Sequence, residues 1–269
     1  MTSSRSRRKN RKKTRSRGSR QKRYKRIKLL LCRHGEGQHL VGEEFSKSLG
    51  PSLTKEGSGQ AYRRIARQLI EVYQHLGTPA VLLVSPQLRA LQTCFYCRQN
   101  QRKLENGLTL RDIPCKVIPF AYEQTRCLVD QGNVMTPFFS ENNKERLLTW
   151  AHEKIMKRDE GLWRAIRETF PLKEPPKDPG SARQRARRIL NYVEKNYPNK
   201  LVLLISHDGI SRDLIVEYNQ LSRCSNIFDL CEIRPVDTCK PTEEEKRKKT
   251  KSDCWKKSRK SRSNRRRSR

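Results

Sequence analysis

Two short segments of this chain each set a histidine and a glycine behind an apolar run of strand length. Ile27-Lys28-Leu29-Leu30-Leu31-Cys32 delivers Arg33-His34-Gly35-Glu36, and Leu201-Val202-Leu203-Leu204-Ile205 delivers Ser206-His207-Asp208-Gly209. The first segment puts a nucleophilic imidazole beside a permanent cation, and Gly35 lets the backbone turn sharply or approach a ligand closely. Together the two endings point to one phosphate site. A transferred phosphoryl group is anionic, so its site needs several donors converging on its oxygens. Arg33 and Arg89 offer planar, permanently charged forks that match phosphate geometry better than lysine does. With two histidines, one neutral imidazole can attack phosphorus in line while the other donates hydrogen bonds to the oxygens. The leaving alkoxide needs a proton, and an acid such as Glu123, raised in pKa by partial burial and by the phosphate charge, can supply it and later accept one from water. The scheme requires no cofactor and no metal.

The surrounding pattern predicts the elements that carry these groups. A strand over 27–32 is followed by Ser52-Leu53-Thr54, a helix N-cap signal, and by Ala61, Ile65 and Leu69 at a spacing of four, with Gly77-Thr78-Pro79 as the stop. Ala80 to Val84 reads as a buried strand, and Ser85-Pro86 opens a helix with Arg89 and Thr93 one turn apart. A weaker strand over 115–120 leads to Glu123, a helix-rich stretch covers about 141–170, and Pro171 to Gly180 breaks it. Ser181 then opens a helix carrying Ala182, Ala186, Ile189, Leu190 and Val193, before the strand at 201–205 and a further helix. Alternating strands and helices predict an α/β fold, a three-layer αβα sandwich with a mainly parallel central sheet and helices on both faces. Ligands in such folds bind at the carboxyl ends of the strands, where His34, Ser85 and His207 fall.

The charge is uneven. Residues 1–28 hold fifteen Lys or Arg and no acid, and residues 240–269 hold fifteen against four acids, so +15 and +11 of the +33 total sit at the ends and +7 is left for the middle. The expected organisation is a disordered Arg/Lys/Ser-rich tail over 1–26, one folded domain over 27–238 and a disordered basic tail over 239–269. Such tails would attract RNA, DNA or another polyanion without sequence selectivity, or act as nuclear or nucleolar import signals. Nine scattered cysteines and no apolar leader point to reduced thiols in an intracellular protein with no membrane span. Cys94 and Cys97 have metal-site spacing but no second ligand pair, and His75 and His152 have no partner at ligand spacing, so packing and surface positions are expected for these four.

Taken in order, several segments resemble the histidine phosphatase superfamily, the phosphoglycerate mutase-like proteins. Arg33-His34-Gly35-Glu36-Gly37-Gln38-His39 resembles its opening signature, and Leu53-Thr54-Lys55-Glu56-Gly57 with Gln60-Ala61 resembles its helix start. Ser85-Pro86-Gln87-Leu88-Arg89-Ala90-Leu91-Gln92-Thr93 is similar to the segment bringing the second phosphate-binding arginine. Glu123, with Asp130 beyond it, resembles the proton-donor segment, Ser206-His207-Asp208-Gly209 the second histidine motif, and Cys231-Glu232-Ile233-Arg234 the closing strand. The resemblance covers roughly 27–236. It implies His34 as the nucleophile, Glu123 as proton donor, and Arg33, Arg89 and His207 as phosphate contacts.

The chain departs from that pattern at Leu40, where the family often has asparagine six residues after the nucleophile, and at Gly50, where many members have aspartate. One polar contact near the phosphate is then either missing or supplied by His39 or Gln38. Val41-Gly42-Glu43-Glu44-Phe45 lacks the polar and aromatic run of the mutases, which favours hydrolysis. The expected function is a phosphatase hydrolysing phosphomonoesters through phospho-His34, its substrate a phosphorylated small molecule or a phosphoprotein. The alternatives are a weak or inactive phosphatase-like domain that binds nucleic acid or another partner through its tails, and a mutase-type phosphotransferase.

Overall fold

A computed structural model describes residues 24, 26–41, 51–123, 141–169, 181–221 and 227–238, with the side chains of 141–144 and 146 left aside. The remaining expectations for both tails, the Pro171 to Gly180 break, Asp130 and Gly50 lie outside the described residues.

The strands are β1 (Lys28–Arg33), β2 (Val81–Val84), β3 (Cys115–Val117), β4 (Leu201–Ser206) and β5 (Ile233–Pro235). The helices are α1 (Lys55–Glu71), α2 (Leu88–Arg98), α3 (Glu141–Lys154), α4 (Glu160–Thr169), α5 (Ala182–Asn196) and α6 (Asp208–Asn219). In space the sheet runs β3-β2-β4-β1-β5, parallel throughout except that β5 pairs antiparallel with β1 at the edge. It is the mainly parallel α/β sheet that the alternation predicts. The pleat sends Leu30, Cys32, Leu82, Val84, Leu203 and Ile205 into a core shared with α1 to α4. Leu29, Leu31, Val81, Leu83, Val202 and Leu204 enter a second core with α5 and α6. Helices therefore cover both faces, which is why β1 and β4 read as continuous apolar runs rather than alternating ones.

Local chemistry sets the ends of the elements. Thr54 caps α1 by accepting from the Gly57 N–H, and Ser181 and Gln184 form a reciprocal capping box on α5, each cap contributing about 1 kcal/mol. α1 stops at Glu71, short of the Gly77 expected to end it, and a 3₁₀ turn over Gln74–Leu76 follows. There the chain leaves the helix axis and the Tyr73 hydroxyl donates to the Ile233 carbonyl of β5, 2.7 Å away. β3 is shorter than expected as well. Ile118 still donates to Val84, but Pro119 has no N–H to continue the ladder. The stretch from 141 divides into two helices at Asp159, which accepts from the Leu162 N–H at the start of α4. Asp159 also forms a buried ion pair with Arg98.

Tyr24 and Arg26 lie within the expected N-terminal tail, yet Tyr24 is buried beside Tyr218 and the Arg26 carbonyl accepts from Asn199. Cys94 and Cys97 are buried and His75 and His152 exposed, as their contexts suggested. No helix among the described residues is long and apolar enough to cross a membrane.

Candidate active site

Sheet register brings the two histidines together. Arg33 pairs with Ser206 across β1 and β4, and the His34 N–H donates to the Ser206 carbonyl, so both chains leave the sheet side by side. Ser85 leaves β2 on the other side of β4, its N–H donating to Ile205. The His34 and His207 rings sit 5.1 Å apart, edge to face, with 3% and 1% exposure.

Hydrogen bonding fixes the tautomer of His34. Its Nδ1 lies 2.6 Å from the Gly35 carbonyl, which can only accept, so Nδ1 carries the proton and Nε2 carries the lone pair. Arg89 donates to that lone pair through Nε at 3.1 Å. Burial first, then the charge of Arg89, and more weakly Arg33 and His39, hold the His34 pKa well below the usual histidine value, so the ring is neutral at pH 7. A neutral imidazole with a defined lone pair is the form a nucleophile needs.

The loop after His34 is clamped from below. Gly35 donates to Thr93 Oγ1, and Thr93 donates to the Arg89 carbonyl one turn back in α2, as the spacing predicted. Glu36 donates through its N–H to Gln60, Thr54 donates to the Glu36 carboxylate, and Gln92 accepts from Leu53. Two backbones nearly touch here. A methyl group on Gly35 would run into the Gly57 carbonyl, and one on Gly57 into the Glu36 backbone.

Arg89 is buried, and desolvation draws its pKa down to about 10, which leaves it charged at neutral pH. Gln87 accepts from Arg89 Nη2 at 3.4 Å and from the Glu123 N–H at 2.9 Å, linking the arginine to the acid. Glu123 is partly buried. Its Oε2 accepts from the Gly209 N–H in the first turn of α6, and any side chain on Gly209 would strike the carboxylate. Burial pushes the Glu123 pKa above the ordinary value, with Arg89 and the Gly209 bond opposing. Ser206 donates to the Ala121 carbonyl, which ties the end of β4 to the segment that presents the acid.

His207 Nε2 is 2.8 Å from Ser85 Oγ, while its Nδ1 is buried with no hydrogen-bond partner among the described residues. Arg33 donates through Nη1 to the Phe228 carbonyl, and its Nε is likewise buried and unpartnered among them. Polar groups buried in this way cost free energy unless a ligand meets them. Arg33, His34, Arg89, Glu123 and His207 thus lie in one region, where Arg33 Nε is a buried donor without a partner among the described residues. Sequence reasoning placed Ser85 at a strand end without a partner and gave Gln87 no role. The Ser85-Pro86-Gln87 junction between strand and helix was the available signal for both.

Compared with known families, residues 29–114 match the histidine phosphatase superfamily (branch 1). Among solved structures, the chain is similar to an alpha-ribazole phosphatase from Shigella flexneri, at 19% identity and a TM-score of 0.44, covering 77% of this chain and 88% of that one. A putative alpha-ribazole-5'-P phosphatase from Escherichia coli is similar at 20% identity and a TM-score of 0.40, covering 72% and 80%. A phosphoserine phosphatase from Entamoeba histolytica, solved with 3-phosphoglyceric acid, is similar at 17% identity and a TM-score of 0.43, covering 77% and 88%. No curated protein matches.

Proposed function

We propose that this chain, a member of the histidine phosphatase superfamily by its residues 29–114, hydrolyses phosphomonoesters through a phosphohistidine on His34. The observation that carries this reading is the His34 ring. Its proton is held on Nδ1 by the Gly35 carbonyl, and its lone pair on Nε2 lies against a guanidinium.

On substrate binding, Arg89 turns its fork from His34 Nε2 to the phosphoryl oxygens, which frees the lone pair. With Ser85 Oγ donating to His207 Nε2, His207 Nδ1 carries a proton, and it and Arg33 Nε, both without partners among the described residues, donate to the phosphoryl oxygens. His34 Nε2 then attacks phosphorus, the bond to the leaving oxygen breaks, and that oxygen takes the proton of the Glu123 carboxyl. The Gly35 carbonyl stabilises the positive charge that develops on the ring. In the second step the Glu123 carboxylate takes a proton from water as the water oxygen attacks phosphorus. The P–N bond breaks, its electron pair returns to His34, and phosphate leaves.

The test is incubation of the full chain with p-nitrophenyl phosphate and with labelled alkyl phosphates. Turnover and an acid-labile, base-stable phosphoryl label on the protein are expected, and both should vanish in His34→Ala. A wild-type protein that neither turns over nor becomes labelled would overturn the proposal. Phosphoryl transfer to an added alcohol in preference to water would favour the mutase-type alternative.

A further inference from the structure

His39, one of the two residues that the departure at Leu40 singled out for a polar contact, stands beside His34. A 3₁₀ turn over Gln38–Leu40, closed by the Leu40 N–H on the Gly37 carbonyl, leaves Leu40 46% exposed and lays the His39 ring against the site. The His39 and His34 ring centroids are 5.8 Å apart, so the nucleophile has an imidazole neighbour in both His39 and His207. Gly37 is what makes room. A Cβ there would come within 2.7 Å of His39 Cε1 and Nδ1 and 3.5 Å of the Arg89 side chain. His39 Nδ1 is buried and has no hydrogen-bond partner among the described residues, the same condition as His207 Nδ1 and Arg33 Nε. A phosphoryl group beside His34 would offer an acceptor to whichever of these nitrogens on the two flanking imidazoles carries a proton.

We propose that His39 is a third phosphate-contacting histidine, donating a ring N–H to a phosphoryl oxygen in the place that Leu40 leaves without a polar group. This rests on the phosphatase reading of the site. Desolvation, then the charges of Arg89 and Arg33, bring the His39 pKa to about 4, so at pH 7 the ring adds a hydrogen bond without adding a third positive charge beside two guanidinium groups. An arriving phosphate dianion reverses the local field and raises that pKa.

The experiment titrates inorganic phosphate into the full chain by calorimetry and follows histidine ring resonances by NMR, alongside hydrolysis of p-nitrophenyl phosphate. His39→Leu keeps bulk without a donor, and His39→Asn keeps a donor. Phosphate affinity should fall about tenfold in His39→Leu, with KM raised by a similar factor and kcat changed less, and His39→Asn should recover most of the loss. In the wild type, phosphate should shift the His39 resonance and raise its titration midpoint. Phosphate binding by His39→Leu equal to wild type, or a wild-type His39 resonance unmoved at saturating phosphate, overturns the role of His39 alone. The second measurement stands even if the leucine variant does not fold. A wild type that neither binds phosphate nor hydrolyses the ester overturns the phosphatase reading, and this inference with it.

Discussion

Arg89 Nε donates across 3.1 Å to His34 Nε2, the only ring nitrogen of His34 that carries no proton. The contact joins the proposed phosphate anchor to the proposed nucleophile before any substrate arrives. Replacing Arg89 with lysine keeps a charge but loses the planar fork and its reach to both His34 and Gln87. Arg89→Lys should lower kcat/KM for p-nitrophenyl phosphate by about 10²–10³, in line with loss of one transition-state donor. Steady-state kinetics with wild-type activity in that variant would show that Arg89 does not bind the phosphoryl group.

Glu123 should act at both ends of the reaction, and its pH dependence has a definite sign. Its pKa is raised, so the protonated acid persists above the ordinary carboxyl range and its contribution is lost as pH climbs through the raised value. Glu123→Gln should remove the alkaline limb of the pH–rate profile and slow hydrolysis of an alkyl phosphate by about 10²–10⁴. The p-nitrophenolate burst, whose leaving group needs no proton, should survive while the following turnover slows. An alkaline limb unchanged in the variant would assign it to another group.

Stability should decline on acidification. His34, His39 and His207 all have folded pKa values below that of the unfolded chain, near 6.5, so the unfolded state binds more protons as pH falls. Their contribution is complete above about 6.5 and drains away towards the folded values, to about 4 for His39. Urea midpoints at pH 5 should therefore lie below those at pH 7. His207→Gln should flatten that dependence, and an identical slope in the variant would argue against His207 as a source.

Gly57 should be intolerant of any side chain. A Cβ at this position runs into the Glu36 backbone, where neither partner is a flexible side chain that can move aside. Gly57→Ala would push the loop carrying His34 off α1 despite alanine's higher helix propensity. A loss of several degrees in Tm with a larger proportional loss of activity is expected. An unchanged melt would mean that the loop shifts freely.

The Arg98–Asp159 pair lies far from this chemistry yet holds the α2 side of the core. Both groups are buried, and Arg98 also donates to the carbonyls of Leu110, Arg111 and Ile113. Removing one partner leaves an uncompensated buried charge, so Asp159→Ala should cost about 3–5 kcal/mol in chemical unfolding. Less than about 1 kcal/mol would indicate that water reaches the pair.

The sequence by itself determined the features set by local chemistry. Continuous apolar runs made β1, β2 and β4 visible, Thr54 and Ser181 marked helix starts, and residue order at the strand ends singled out His34, Arg89 and His207. These signals lie within a few residues of one another, where periodicity and capping act. Tertiary structure decided what depends on two distant segments meeting. The β1/β4 register set the two rings 5.1 Å apart. The crossing of the His34 loop over α1 required Gly35 and Gly57 together. Gln87 joined Arg89 to Glu123, Ser85 met His207, and Arg98 found Asp159 across the core. One turn of 3₁₀ helix put Leu40 outside and set the half-buried His39 ring 5.8 Å from that of His34. No pattern along the chain encodes such pairings, because each distance is set by how whole elements pack, and a polar side chain takes its partner only after the backbone has brought that partner within reach.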